Sequence, residues 1–316
     1  MVKDLNKNRP VCQSNSRSEG FTFVNSLIGW YCAGIKNIPT TSLQSADKQP
    51  IREKEMSQRN KIDLNSDVGE SFGIYKVGLD EEVIPLISSV NIACGFHAGG
   101  PAMMKRAISL AKENGVGVGA HPGFPDLIGF GRRNMDVTLD EVKEDVTYQV
   151  GALQAFAFVQ GLRLQHVKPH GALYNMAVQN AEVWDAIAEA LAGLDRDLIL
   201  VVLAGPNRSK LEAIATRHSI RIAFEFFADR AYNPDGSLVS RREAGAVLHN
   251  SEDVAERVVK MVIQGVVAAK DESKIRLEAD TICVHGDNPE AVAMVKNIRE
   301  SLIDSGIEVV PMGTFL

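Results

Sequence analysis

Four of the seven histidines, His97, His121, His170 and His285, each stand just after a short apolar run. Acids and cations accompany them. Asp63-Leu-Asn65-Ser-Asp67 alternates polar with apolar residues, so on an extended strand Asp63, Asn65 and Asp67 share one face. Glu70 follows three positions later. In Lys168-Pro-His170-Gly, Pro169 excludes a helix interior, and on a strand His166, Lys168 and His170 share a face. Glu225 ends another apolar run and is followed by Asp229 and Arg230. Carboxylates and imidazoles move protons and bind metal ions. A buried lysine beside acids either neutralises developing negative charge or lowers its own pKa to work as a base. The residues expected to carry catalysis are Asp63, Asn65, Asp67, His121, Lys168, His170 and Glu225. A metal ion would draw its ligands from Asp67, His97, His121, His170, His285 and Asp287, with no short spacing to choose among them.

The elements that position these residues follow from the apolar pattern. Strands are predicted at Ile62–Ser66, Val90–Cys94, Val116–Ala120, Leu164–Lys168, Leu198–Leu203, Arg221–Phe226, Thr281–His285 and Glu308–Pro311. Helices lie between them. Pro101 opens one that Gly115 closes, and Thr138 with Glu141 makes a capping box for a helix to Gly161. Asn180 caps a helix ending near Gly193, and Pro206 opens one through Arg217. Ser251 is expected to cap a helix to about Ala269, and Asn288-Pro289 starts the last. Strand then helix, about seven times over, predicts a parallel sheet with crossover helices. A doubly wound open sheet and a closed βα barrel both fit that order, and the 256 residues after position 60 match the roughly 250 of a single barrel. In a barrel the candidate residues fall at the C-terminal ends of the strands, where such folds build their chemistry. Asp63, Glu70, Cys94 and His97 are all read there, Cys94 as a small core residue. His218 and His249 read as surface residues. Only Ala228–Asn250 is long and lacks an element, and such loops are often functional.

Composition narrows the classes. The 316 residues carry a formal charge of −6, which disfavours a generic nucleic-acid binder. No apolar run reaches the roughly 18 residues of a membrane span. Four scattered cysteines suit reducing cytoplasm better than a disulfide scaffold. Residues 1–60 differ from the rest: nine Lys/Arg against five Asp/Glu, against 25 and 35 thereafter. They are expected to be a disordered or mis-annotated extension, a poor match to a signal peptide, with Met56 as the native start. Residues 61–316 are expected to be one βα-barrel domain.

Seven stretches carry a more specific signal: DLNSDVGESFG (63–73), NIACGFHAG (91–99), GAHPGFPD (119–126), FGR (130–132), KPHGALYN (168–175), EFFADRAYNPDGSLVSR (225–241) and HGD (285–287). In this order they resemble the LamB/YcsF family, over about Lys61 to Leu316. The resemblance implies a (β/α)7-type barrel of the glycoside hydrolase/deacetylase kind. It implies ATP-dependent opening of the 5-oxoproline lactam to L-glutamate, with ATP and Mg2+ as co-substrate, in company with 5-oxoprolinase subunits B and C. Substrate or phosphate would then meet Glu70, His97, Arg132, Asp229, Arg230 and Tyr232, with Ala228–Ser240 as a lid. No GxxxxGK[ST] loop is present, so an ATP site would be unconventional or shared with a partner. Two rival classes remain on the residues alone: a metal-dependent deacetylase or amidohydrolase acting without ATP, and a substrate-binding subunit with no catalysis of its own.

Overall fold

A computed structural model describes residues 60–285 and 289–316. The expectations for residues 1–59, and for Asp287, lie outside the described residues.

Strand β1 (Lys61–Val68) leads through α1 (Asp80–Val83) and a 3-10 turn, Ile84–Leu86, to β2 (Ser89–Ala93). Then come α2 (Pro101–Glu113), β3 (Gly117–His121), α3 (Leu139–Val159) and β4 (His166–Val167). Two helices follow, α4 (Gly171–Gln179) and α5 (Ala181–Leu194), before β5 (Ile199–Leu203), α6 (Arg208–His218) and β6 (Arg221–Phe227). The last third holds α7 (Ser251–Gln264), the hairpin β7 (Val266–Ala268) and β8 (Lys274–Arg276), β9 (Thr281–Cys283), α8 (Pro289–Asp304) and β10 (Glu308–Val309).

Strands β1 to β6 lie side by side in chain order, all parallel. The next strand, β9, pairs with β6 on one side and with β1 on the other. That double pairing closes a seven-stranded barrel and rules out the open doubly wound sheet, which would leave two free edges. Among the described residues, strand β10 pairs with the first residues of β1, Lys61 and Ile62. Outward side chains such as Leu64, Val90, Ile92, Val118 and Ile282 pack under the helices in one continuous apolar core. Inside, the lower end is plugged by Met312, which packs on Ile199, Val201 and Ala223.

Local signals explain most boundaries. Thr138 and Glu141 form the capping box at the start of α3, each bonding the other's backbone N–H. Asn180 caps α5 by accepting from Glu182 N–H. Several expectations need correction. The cap of α7 is Asn250, not Ser251: the amide oxygen accepts from the N–H groups of Glu252 and Asp253. That helix stops at Gln264, because Gly265 takes the left-handed conformation (φ +63) and the β-branched Val266-Val267 pair enters a strand. Strand β4 shrinks to two residues, since Pro169 has no N–H to continue a ladder. Helix α4 is absent from the sequence expectations because it carries no strong cap signal; its N-cap, His170, makes no side-chain capping bond.

Candidate functional site

Inward residues of the barrel form two polar layers. At the lower level Asp63 is wholly buried. The Ser88 and Ser89 hydroxyls and the Met312 N–H donate to Oδ1, and the Thr281 hydroxyl donates to Oδ2. Burial pushes its carboxyl up to about 6, with these donors acting in the opposite sense. The sequence pattern groups Asp63 with the rim; the structure puts it near the floor, third in an eight-residue strand.

The upper layer is built around Lys168. Its Nζ lies 2.8 Å from Glu225 Oε1 and 3.1 Å from Asp67 Oδ1, and it donates to Cys283 Sγ at 3.0 Å and Asn65 Oδ1 at 3.3 Å. Burial works against the charge, but Asp67, Cys283 and Glu225 outweigh it and hold the ammonium well above its ordinary range. Of the two roles open to a buried lysine, the surroundings support the permanent cation, not the base. Asn65 donates to Thr281 at 2.6 Å and to Glu225 at 3.2 Å. Asn91 donates to Asn65 and to Asp67, and His166 Nε2 lies 2.7 Å from Asn91 Oδ1. Tyr174 donates to Glu225 Oε2 at 3.1 Å.

Toward the mouth, His121 Nε2 lies 3.3 Å from Asp67 Oδ2. Burial alone would raise the Asp67 carboxyl, yet His121 and Lys168 hold it well below the carboxylate range. His170 follows: its Nδ1 is 2.9 Å from His121 Nε2 and its Nε2 is 2.8 Å from the Phe130 carbonyl. His97 stacks on His170 with ring centroids 3.7 Å apart and planes 2° from parallel. Glu70 Oε1 reaches both, 3.4 Å from His97 Nε2 and 3.7 Å from His170 Nδ1. Burial raises the Glu70 carboxyl, with Asp67 adding to it. Burial, then neighbouring histidines, lowers His97 well below its ordinary value and His170 to about 2. Glu70, His97, His121 and His170 therefore present four donor atoms within 4.8 Å of one another. A second group of three, Asp67, Cys283 and His285, meets the same distance limit.

The other expected site residues lie around this layer, and His285 still brings a ring nitrogen within 4.8 Å of Asp67 and Cys283. His285 Nδ1 pairs with Asp229 Oδ2 at 2.8 Å, with Arg241 on its other nitrogen. Arg230 spends its guanidinium on the carbonyls of Val239 and Ala246, which pins the long loop after β6. Tyr232 is fully buried, and its hydroxyl accepts from the Phe227 N–H. Arg132 is exposed, over the Phe130 ring. His249 is exposed and His218 is half-buried, paired with Asp185. Cys94 is a buried core residue, as expected.

Sequence reasoning missed Asn91, Tyr174, Thr281 and Cys283. For Asn91 a signal existed: Ser89-Val-Asn91-Ile alternates as β1 does. For Tyr174, His170 and Tyr174 would share a helix face, but only if α4 were recognised.

Comparison with known proteins agrees with this architecture. The chain is 56% identical over 256 residues to the A subunit of 5-oxoprolinase from Thermococcus onnurineus (strain NA1), covering 81% of this chain and 99% of that one. It is 55% identical over 252 residues to the protein of the same name from Thermococcus sibiricus (strain DSM 12597 / MM 739), covering 80% and 98%. The crystal structure of a lactam utilization protein from Thermus thermophilus superposes with a TM-score of 0.75 at 46% identity, over 79% of this chain and 99% of that one. The model of the LamB/YcsF family matches residues 62–316, and the chain belongs to that family.

Proposed function

We propose that this chain hydrolyses the ring amide of 5-oxoproline to give L-glutamate, as the hydrolytic subunit of an ATP-dependent 5-oxoprolinase with subunits B and C. The observation that carries this reading is a fixed cation, Lys168, held between Asp67 and Glu225 in the buried polar layer toward the C-terminal ends of the barrel strands. The relatives' names, each the A subunit of a 5-oxoprolinase, supply the substrate and the expectation of further subunits.

A five-membered lactam is a poor electrophile. Phosphoryl transfer from ATP, with Mg2+, to its carbonyl oxygen gives an imidate that water can attack at carbon. The C–N bond then breaks, the nitrogen takes a proton, and an acyl phosphate remains. A second water converts that to the carboxylate and free phosphate. Asp67, with His121 at its other oxygen, is placed to orient the water and take its proton. Lys168 neutralises charge developing on oxygen, and Glu225 with Tyr174 holds Lys168 in place. Exposed apolar side chains on the loops after β1 and β3, Ile74, Tyr75 and Ile128, give the mouth a surface suited to a partner subunit. Cytoplasm is the compartment in which free Cys94 and Cys283 stay reduced.

The test is glutamate release from 5-oxoproline by this chain mixed with subunits B and C, with and without ATP. Loss of turnover in Asp67→Ala, Lys168→Ala and His170→Ala, with folding intact by circular dichroism, is the expected result. Normal activity in all three rejects the assignment. Turnover of an amide or acetyl ester by the chain alone, without nucleotide, would favour the deacetylase class instead.

A further inference from the structure

We propose that Glu70, His97, His121 and His170 bind one divalent transition-metal ion of the zinc class, through Glu70 Oε1, His97 Nε2, His121 Nε2 and His170 Nδ1. This goes beyond the hydrolysis proposed above, which names no metal site.

Proton accounting leads to it. His121 Nδ1 lies 2.6 Å from the Lys168 carbonyl, and His170 Nε2 lies 2.8 Å from the Phe130 carbonyl. A carbonyl only accepts, so each of these nitrogens carries its ring's proton. The two remaining nitrogens, His121 Nε2 and His170 Nδ1, then face each other at 2.9 Å. In neutral rings both are lone pairs, and such a contact needs a cation between or beside them. Metal-binding histidines commonly anchor their far nitrogen in this way, on a backbone carbonyl.

The neighbours point to the same place. His97 is wholly buried, and among the described residues neither of its ring nitrogens has a hydrogen-bond partner. Glu70 Oε1 is likewise buried without one. Buried polar atoms are rarely left so, and a shared ion would satisfy Glu70 Oε1 and His97 Nε2, with His97 Nδ1 keeping the ring proton. The spacing also fits. Ligand arms of about 2.1 Å around a tetrahedral ion put neighbouring ligand atoms roughly 3.4 Å apart. Glu70 Oε1 lies 3.4 Å from His97 Nε2 and 3.7 Å from His170 Nδ1. Glycines make the room: a Cβ on Gly131 would stand 2.7 Å from His97 Cβ and 2.9 Å from His170 Cδ2, and one on Gly123 would stand 2.8 Å from His97 Nδ1. Three imidazoles and one carboxylate suit a borderline ion better than calcium or magnesium. The competing group, Asp67, Cys283 and His285, already has the Lys168 ammonium on two of its three members. The competing explanation is one extra proton on His121 Nε2, shared with Asp67 and His170.

Metal analysis of the purified full chain, followed by titration with Zn2+ and with Co2+ read by visible absorption, decides between them. The expected result is one ion per chain, with Co2+ bands of a low-coordinate nitrogen and oxygen site. Glu70→Gln and His97→Ala should each weaken binding by at least about tenfold, while His285→Ala keeps the full stoichiometry. Absence of stoichiometric binding by the unaltered chain overturns the proposal in favour of the shared proton. So does an ion lost in His285→Ala and kept in His97→Ala. Glutamate release is measured separately, so an ion bound without lactam turnover leaves this site standing and removes only the proposed reaction.

Discussion

Asp63 and Asp67 stand four residues apart on one strand and face the same interior, yet their surroundings differ in kind. Around Asp63 every contact is a neutral donor: three hydroxyls and one backbone N–H converge on its two oxygens. The Met312 plug closes the space below. Around Asp67 the contacts are with Asn91, a lysine and a histidine, and its side chain keeps 12% exposure. The first arrangement holds strands β1 and β9 and the C-terminal turn together. The second gathers a lysine, a histidine and an amide around a carboxylate that keeps partial exposure, in the layer proposed above to meet substrate. Buried acids on one strand face thus divide into a floor held by neutral donors and a mouth held by charged partners, and local electrostatics separates them better than residue type does.

The largest expected effect is at the mouth. Lys168→Met keeps the stem but removes the cation, leaving Asp67 and Glu225 without their counter-ion. Stability should fall by roughly 3–5 kcal/mol, as for a broken buried ion pair. Glutamate release by the folded fraction should drop by at least about 100-fold. Urea denaturation and the coupled assay measure the two separately. Retained activity would place the reactive centre elsewhere.

The floor should respond to pH instead. Asp63 has a carboxyl raised from 3.8 to about 6 in the fold, so between those values the folded state holds a proton that the unfolded state has lost. The stability this supplies is complete below about pH 4 and is lost as pH rises through about 6. Comparing the native chain with Asp63→Asn cancels the other titrating groups. Their stability difference should shift against the native chain by about 2–3 kcal/mol across that window. A flat difference would mean that the floor does not feel its burial.

Asp63→Ala tests the same layer at neutral pH. It strands the donors of Ser88, Ser89, Thr281 and Met312 and should cost about 1–3 kcal/mol. Turnover of the molecules that remain folded should be unchanged. A large loss of kcat without loss of stability would erase the distinction between floor and mouth. The smallest effect is expected for Tyr174→Phe, which removes one hydrogen bond to Glu225, worth about 1 kcal/mol. Turnover should fall by no more than about tenfold at that value, and a larger drop would promote Tyr174 from support to direct contact with substrate.

Much of the site is legible without the fold. Alternation in Asp63-Leu-Asn-Ser-Asp67 puts three polar side chains on one face, and Pro169 keeps Lys168 and His170 out of a helix interior, as the structure bears out. Three of the four histidines that end apolar runs do meet Asp67 or Glu70. The fourth, His285, pairs with Asp229 and brings a ring nitrogen within 4.8 Å of Asp67 and Cys283. Arg230 and Tyr232 carry the right chemistry for binding an anion, but they spend it on the backbone of their own loop and strand end. No local pattern distinguishes a guanidinium that faces solvent from one that a following turn will consume. Asn91, Thr281 and Tyr174 escape notice in the sequence because an amide, a hydroxyl and a phenol gain meaning only from their neighbours.

What the sequence determined by itself is periodicity and order. Alternating runs set strands and their faces, caps and glycines set helix ends, and strand–helix succession set a parallel sheet of barrel size. The wording of seven short stretches set the family. What only the tertiary structure decided is depth and company. Alternation fixes which way a side chain points but not how far along the barrel axis it lies; that depends on the stagger between strands. Closure of β9 onto β1 brought Thr281 to Asp63 across 218 positions and set Cys283 beside Asn65. The same closure separated a neutral floor from a charged mouth, and the approach of the loops after β1 and β2 gathered Glu70 and His97 against His170.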